Sequence, residues 1–253
     1  MNLPIQLHVQ HSGLEKGIPI VFLNSLGTDL NMWNQQVAQL SSSYRMIQMD
    51  TRGHGQSAAS RGPYSIDLLC EDVIHTLDFL GVPKAYFCGI SMGGMMALNL
   101  SILYPSRVEK VVAANTAAII GHESAWLERA NLVRMQGMGP VVAGAAGRWF
   151  TSQFTDDHVD QVNVMLAQLA QTPSEGYAAC CEALSKADLR EKVASISVPV
   201  CIVAGEFDPV TTVSDGQFLM EKISGSRLEV LPASHLSNVE NPQQFSEILS
   251  RFF

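Results

Sequence analysis

The segment Gly89-Ile90-Ser91-Met92-Gly93 follows an apolar run, Ala85-Tyr86-Phe87-Cys88, and opens a helix-like stretch that ends near Tyr104-Pro105. A serine on a sharp strand-to-helix turn projects its hydroxyl off the backbone, and the flanking glycines keep side chains out of that turn. The helix that starts there offers unpaired backbone N–H groups beside the same hydroxyl. Ser91 is therefore the expected nucleophile. A glycine-rich turn with a helix-capping serine would show the same five residues, so the rest of the chain must supply the chemistry.

Outward from this segment, short apolar and β-branched runs at 6–9, 18–23, 45–49, 85–88, 108–114, 198–204 and 228–231 predict strands. Helical patterns lie between most of them. The clearest keeps Ile66, Leu69, Cys70, Val73, Ile74, Leu77 and Leu80 on one face before Gly81 and Pro83 stop it. Strand and helix in alternation predict an α/β fold: a mostly parallel central sheet flanked by helices, with ligands at the carboxyl ends of the strands. The alternation breaks between 121 and 192, where 126–135, 141–150, 157–169 and 175–184 read as helices. The expected organisation is a core of residues 1–120 and 193–253, with residues 121–192 forming a helical cap inserted before the last two strands.

A serine hydroxyl needs a base in hydrogen-bond reach, itself oriented by a third group. Asp208, in Gly205-Glu206-Phe207-Asp208-Pro209, and His235, in Pro232-Ala233-Ser234-His235, each follow a predicted strand, as Ser91 does. The order serine, acid, histidine suits this topology. His54, in Asp50-Thr51-Arg52-Gly53-His54-Gly55-Gln56-Ser57, is the rival histidine, and Glu206 the rival acid. Two backbone N–H groups are expected to receive the oxyanion: Met92, directly after the nucleophile, and Leu26 in the loop Asn24-Ser25-Leu26-Gly27.

The 253 residues suffice for one sizeable domain, and 47% hydrophobic against 16% charged residues argues for an ordered protein. A net charge of −8 without a basic cluster argues against nucleic acid or an anionic membrane as partner. With no long apolar span and no basic, apolar leader, a cytoplasmic location is the expectation. Five cysteines without metal-ligand spacing read as buried hydrophobes in a reducing compartment, the vicinal Cys180-Cys181 pair included, so no metal site is expected.

Taken together, these motifs resemble those of the α/β-hydrolases over the whole chain. Within that superfamily the chain is similar to the 3-oxoadipate enol-lactonases in Leu23-Asn24-Ser25-Leu26-Gly27-Thr28, Ala114-Asn115-Thr116-Ala117-Ala118, Arg148-Trp149-Phe150-Thr151 and 233–240. Where the superfamily commonly carries His-Gly before the oxyanion site, this chain has Asn24-Ser25, as the enol-lactonases do. The resemblance implies hydrolysis of a small anionic enol lactone to 3-oxoadipate, a step of the β-ketoadipate pathway, through a Ser91 acyl-enzyme and without a cofactor. The substrate carboxylate calls for a local cation. Of Arg129, Arg134 and Arg148 in the cap, Arg134 and Arg148 are the expected contacts, with Trp126 and Trp149 as apolar walls. A general carboxylesterase or a perhydrolase-like enzyme is the alternative, and a ligand receptor on the same scaffold a remote one. Nothing in the sequence sets an oligomeric state.

Overall fold

The structure, a computed structural model, describes residues 2–253. Seven strands form one sheet: β1 (Val9–Gly13), β2 (Pro19–Leu23), β3 (Arg45–Met49), β4 (Ala85–Ile90), β5 (Val108–Ala114), β6 (Val200–Gly205) and β7 (Arg227–Leu231). Their order is β1-β3-β2-β4-β5-β6-β7, and every pairing is parallel except β1 against β3. The chain winds from β2 outward to β3 and then crosses back to β4. The carboxyl ends of β2 and β4 therefore flank the switch point at which such sheets hold ligands.

The helices of the first half are α1 (Asn34–Leu40), α2 (Ile66–Phe79) and α3 (Met92–Leu103). Between β5 and β6 come α4 (Glu123–Gln136), α5 (Gly139–Ala143), α6 (Ala145–Trp149), α7 (Ser152–Asp157), α8 (Val159–Gln171) and α9 (Ser174–Lys186). After β6 come α10 (Val213–Lys222), α11 (Ser237–Glu240) and α12 (Pro242–Phe252). Local chemistry sets several ends. Ser65 caps α2 by accepting the Leu68 N–H, and Thr212 and Asp215 form a reciprocal capping box on α10. Every residue of β4 is buried, and α3 is apolar nearly all round, as expected for the central strand of a sheet covered on both faces and the helix packed on it.

Three expectations change. The first strand lies at 9–13 rather than 6–9. Ile5 and Leu7 give their N–H groups to Asp72 and Thr76 of α2 at 2.8 and 2.9 Å, so this alternating stretch satisfies its backbone against a helix instead of a strand. The helix expected at 141–150 is two short ones meeting at Gly144. An unforeseen helix, α7, starts where Thr151 accepts the Phe154 N–H. All five cysteines are unpaired and buried, and burial pushes the Cys180 and Cys181 thiols up, away from thiolate chemistry. Among the described residues no helix is long and apolar enough to cross a membrane.

Candidate active site

Ser91 occupies the turn between β4 and α3 with φ 58° and ψ −119°, a conformation that side chains rarely adopt. Neighbouring strands over-determine it. Its N–H donates to Ala114 O at 2.9 Å, and its carbonyl accepts the Thr116 hydroxyl at 2.8 Å. The flanking glycines are sterically required: a Cβ on Gly89 would stand 2.1 Å from Gly93 O, and one on Gly93 2.1 Å from Leu23 O. The turn is thus wedged between its own helix and the end of β2.

Asp208 and His235, from the loops after β6 and β7, are both buried, and the imidazole Nδ1 lies 2.8 Å from Asp208 Oδ2. That carboxylate is fully engaged. Oδ1 accepts the N–H groups of Val210 and Thr211 at 2.8 and 3.1 Å, while Oδ2 also accepts Thr211 Oγ1 at 2.8 Å and Asn115 Nδ2 at 3.0 Å. Burial pushes the Asp208 carboxyl up, but the hydrogen bond and charge of His235, with the bonds from Asn115 and Val210, outweigh it and leave the group below its ordinary value. Glu206, the rival acid, is exposed. His54, the rival base, is not on the cavity that Ser91 and His235 share.

Asn115, which no sequence motif singles out as a site residue, belongs to this cluster. At the end of β5 with φ 43°, it donates to Asp208 and to Ser234 O, both at 3.0 Å, and accepts the Ser237 hydroxyl at 2.5 Å. It therefore ties the acid to the histidine loop. Its sequence signal is an asparagine directly after a buried strand, one of the few residues that tolerate positive φ. A second tie runs to the inserted helices: Glu240 accepts the Ser234 N–H at 2.7 Å and the Thr151 N–H at 3.2 Å, and Leu236 N–H donates to Trp149 O at 3.0 Å.

Ser91, His235 and Leu26 line a cavity of about 40 Å³, closed from above by Trp126, Arg129, Arg148, Trp149 and Tyr177 of α4, α6 and α9. Among the described residues neither the Leu26 N–H nor the Met92 N–H has an acceptor. No hydrogen bond joins the Ser91 hydroxyl to His235 among them either; such contacts often tighten only around substrate. Asn24 does not face the cavity. Buried completely, it donates to Met49 O at 2.8 Å and accepts Trp33 Nε1–H at 2.9 Å, fixing the start of the Leu26 loop.

The arginines divide differently from the expectation. Arg134 is withdrawn: it chelates Glu175 at 2.8 Å and Glu182 at 2.5 Å, joining α4 to α9 outside the cavity. Arg129 takes its place, its guanidinium 4.8 Å from the centroid of the Trp126 ring. Arg148 remains, donating to Val141 O at 2.9 Å. Burial, and then the charge of Arg129, push the Arg148 guanidinium down. Among the described residues no carboxylate pairs with either cation. Two like charges thus line the same cavity as the serine without a carboxylate partner among the described residues, a local excess of positive charge.

The alpha/beta hydrolase fold family matches residues 18–242. The chain is 53% identical to 3-oxoadipate enol-lactonase 2 of Acinetobacter baylyi over 92% of its own length and 89% of that protein's. It is 48% identical to 3-oxoadipate enol-lactonase 1 of the same organism, over 97% and 92%. The crystal structure of the enol-lactonase from Burkholderia xenovorans LB400 superposes with a TM-score of 0.96 at 39% identity, covering 97% of this chain and 95% of that one.

Proposed function

The chain belongs to the α/β-hydrolase fold family, and from that premise we infer that it is a 3-oxoadipate enol-lactonase acting through an acyl-enzyme on Ser91. The observation that carries the substrate choice is the pair of unmatched guanidinium groups, Arg129 and Arg148, above Ser91 and His235. A 3-oxoadipate enol lactone has one carboxyl closed into the ring and the other free. The free carboxylate takes the arginines while the ring carbonyl lies towards the serine. Residues 121–192 act as the cap that supplies this recognition. The cavity, about 40 Å³, lies between these arginine side chains and the catalytic residues.

In the reaction, His235 Nε2 takes the Ser91 proton as Oγ attacks the lactone carbonyl carbon. The oxyanion settles against the Leu26 and Met92 N–H groups, each such donor contributing about 3–4 kcal/mol when preorganised. Collapse breaks the ring C–O bond. The departing enolate takes the proton from His235 and ketonises, still tethered through the acyl group. His235 then removes a proton from water as it attacks the ester carbonyl, and returns that proton to Ser91 Oγ as the acyl C–O bond breaks, freeing 3-oxoadipate and Ser91. Asp208 holds the imidazole in the tautomer this cycle needs. The reaction places the enzyme in the β-ketoadipate pathway.

The direct test is a spectrophotometric assay with enol lactone generated in place from its precursor. The expected result is turnover well above that of a neutral aryl ester; the reverse preference would make the protein a general esterase. Arg129→Ala and Arg148→Ala should each raise KM for the lactone by about 10- to 100-fold, the worth of one hydrogen bond to a charged group. With the neutral ester neither variant should change KM appreciably. Equal effects on both substrates would remove the arginines from carboxylate recognition.

A further inference from the structure

The Asp50–Ser57 segment contains a histidine that the proposed reaction leaves unused. We propose that His54 is a positioning residue of the oxyanion loop: its ring, as the Nδ1–H tautomer, accepts the Gly27 N–H and so holds the Leu26 N–H towards the cavity. The inference rests on the acyl-enzyme reading above.

Gly27 N–H donates to His54 Nε2 at 3.0 Å, which requires that nitrogen to carry no proton, and the opposite ring nitrogen lies 3.3 Å from Arg52 O, an acceptor. Both partners select one tautomer. The ring is fully buried, and burial pushes its pKa down to about 4, so the acceptor is kept at neutral pH. The support behind it is stiff. Asp50 accepts the Leu30 and Gln56 N–H groups at 2.8 and 2.9 Å, and the Arg52 side chain is paired with Asp72 at 2.7 Å.

On the other side of the bond, Thr28 N–H donates to Ser25 O at 3.2 Å with Gly27 at φ 84°, the signature of a type II turn centred on Leu26 and Gly27. The central peptide of such a turn can flip to the type I orientation at little cost, which would rotate the Gly27 N–H and swing the Leu26 carbonyl round. The His54 bond selects one orientation. The donor itself belongs to the preceding Ser25–Leu26 peptide, which such a flip does not turn over; by fixing the Leu26–Gly27 peptide, the His54 bond steadies Leu26 and with it that N–H, and oxyanion donors must sit within a few tenths of an ångström of the developing charge.

The experiment compares His54→Phe, which keeps an aromatic ring but no acceptor, with His54→Gln, whose Oε1 reaches the place of Nε2. On the enol lactone the Phe variant should lose about 10- to 100-fold in kcat, less than loss of a whole oxyanion donor, with KM within about twofold. Its affinity for a boronic acid that forms a tetrahedral adduct on Ser91 should fall in parallel, while 3-oxoadipate binding holds. Gln should restore most of both. A Phe variant with unchanged kcat and boronate affinity, or one whose loss Gln does not repair, overturns the proposal. If the Phe variant does not fold, His54→Asn, too short to reach Gly27, takes its place under the same criteria. Ser91→Ala run alongside separates the readings: turnover surviving there sinks the acyl-enzyme, whereas a dead Ser91→Ala beside a fully active His54→Phe sinks this inference alone.

Discussion

Ser91→Ala should lower kcat on the enol lactone by about 10⁴- to 10⁶-fold while leaving product binding and unfolding midpoint close to those of the parent. Removing a nucleophile that works as a unit with its base costs about as much as removing the whole unit, and what survives comes from binding and the oxyanion donors. The fold should tolerate the change because the strain at φ 58° is held by backbone and Thr116 contacts, not by the Ser91 hydroxyl. Alanine and serine face the same steric penalty there. Steady-state kinetics, calorimetry with 3-oxoadipate and a urea titration check all three parts. A variant within tenfold of the parent would mean that water attacks the lactone directly, with His235 as base and Ser91 a bystander.

Much of this arrangement is legible in the sequence because it depends on element order. Ser91, Asp208 and His235 fall at the carboxyl ends of three strands that pair in the sheet through β5, and the alternating pattern suffices to place them there. The strand expected at 6–9 lies instead at 9–13: the alternation of Ile5, Leu7 and Val9 is real, yet the backbone partners of Ile5 and Leu7 are side chains of α2, 67 and 69 positions away. Periodicity reports that a stretch is extended and half-buried; it does not report what satisfies the backbone.

The roof of the site is less legible for a similar reason. Choosing among Arg129, Arg134 and Arg148 needed helix phase, and the phase was available: Arg129 follows Trp126 by three positions and shares its face, whereas Arg134 lies five beyond Arg129, roughly 140° around the helix. What the sequence could not supply was the partner of that other face, Glu175 and Glu182 on α9. Asn115 and His54 act through contacts with loops distant in the chain, so the local signal at Asn115, an asparagine after a buried strand, reports its backbone and not its partners.

Asp208→Asn should lower kcat at pH 7 by about 10⁴-fold, because the asparagine cannot hold His235 in the tautomer that takes the Ser91 proton. The side chain is poorly placed to substitute. Its carboxylate accepts from Val210, Thr211, Asn115 and His235, and an amide NH₂ put in place of either oxygen would set donor against donor at one of these contacts. Stability should fall too, with a definite pH dependence. The folded-state pKa of Asp208 lies below its unfolded value, near 3.9, so its contribution is complete above that value and is lost as pH falls through the folded pKa. Urea midpoints of parent and variant should therefore differ most at neutral pH and converge below about pH 4. A gap that stays constant into acid would mean that Asp208 stabilises the fold by packing and hydrogen bonding alone, and that the charge His235 meets is neutralised elsewhere.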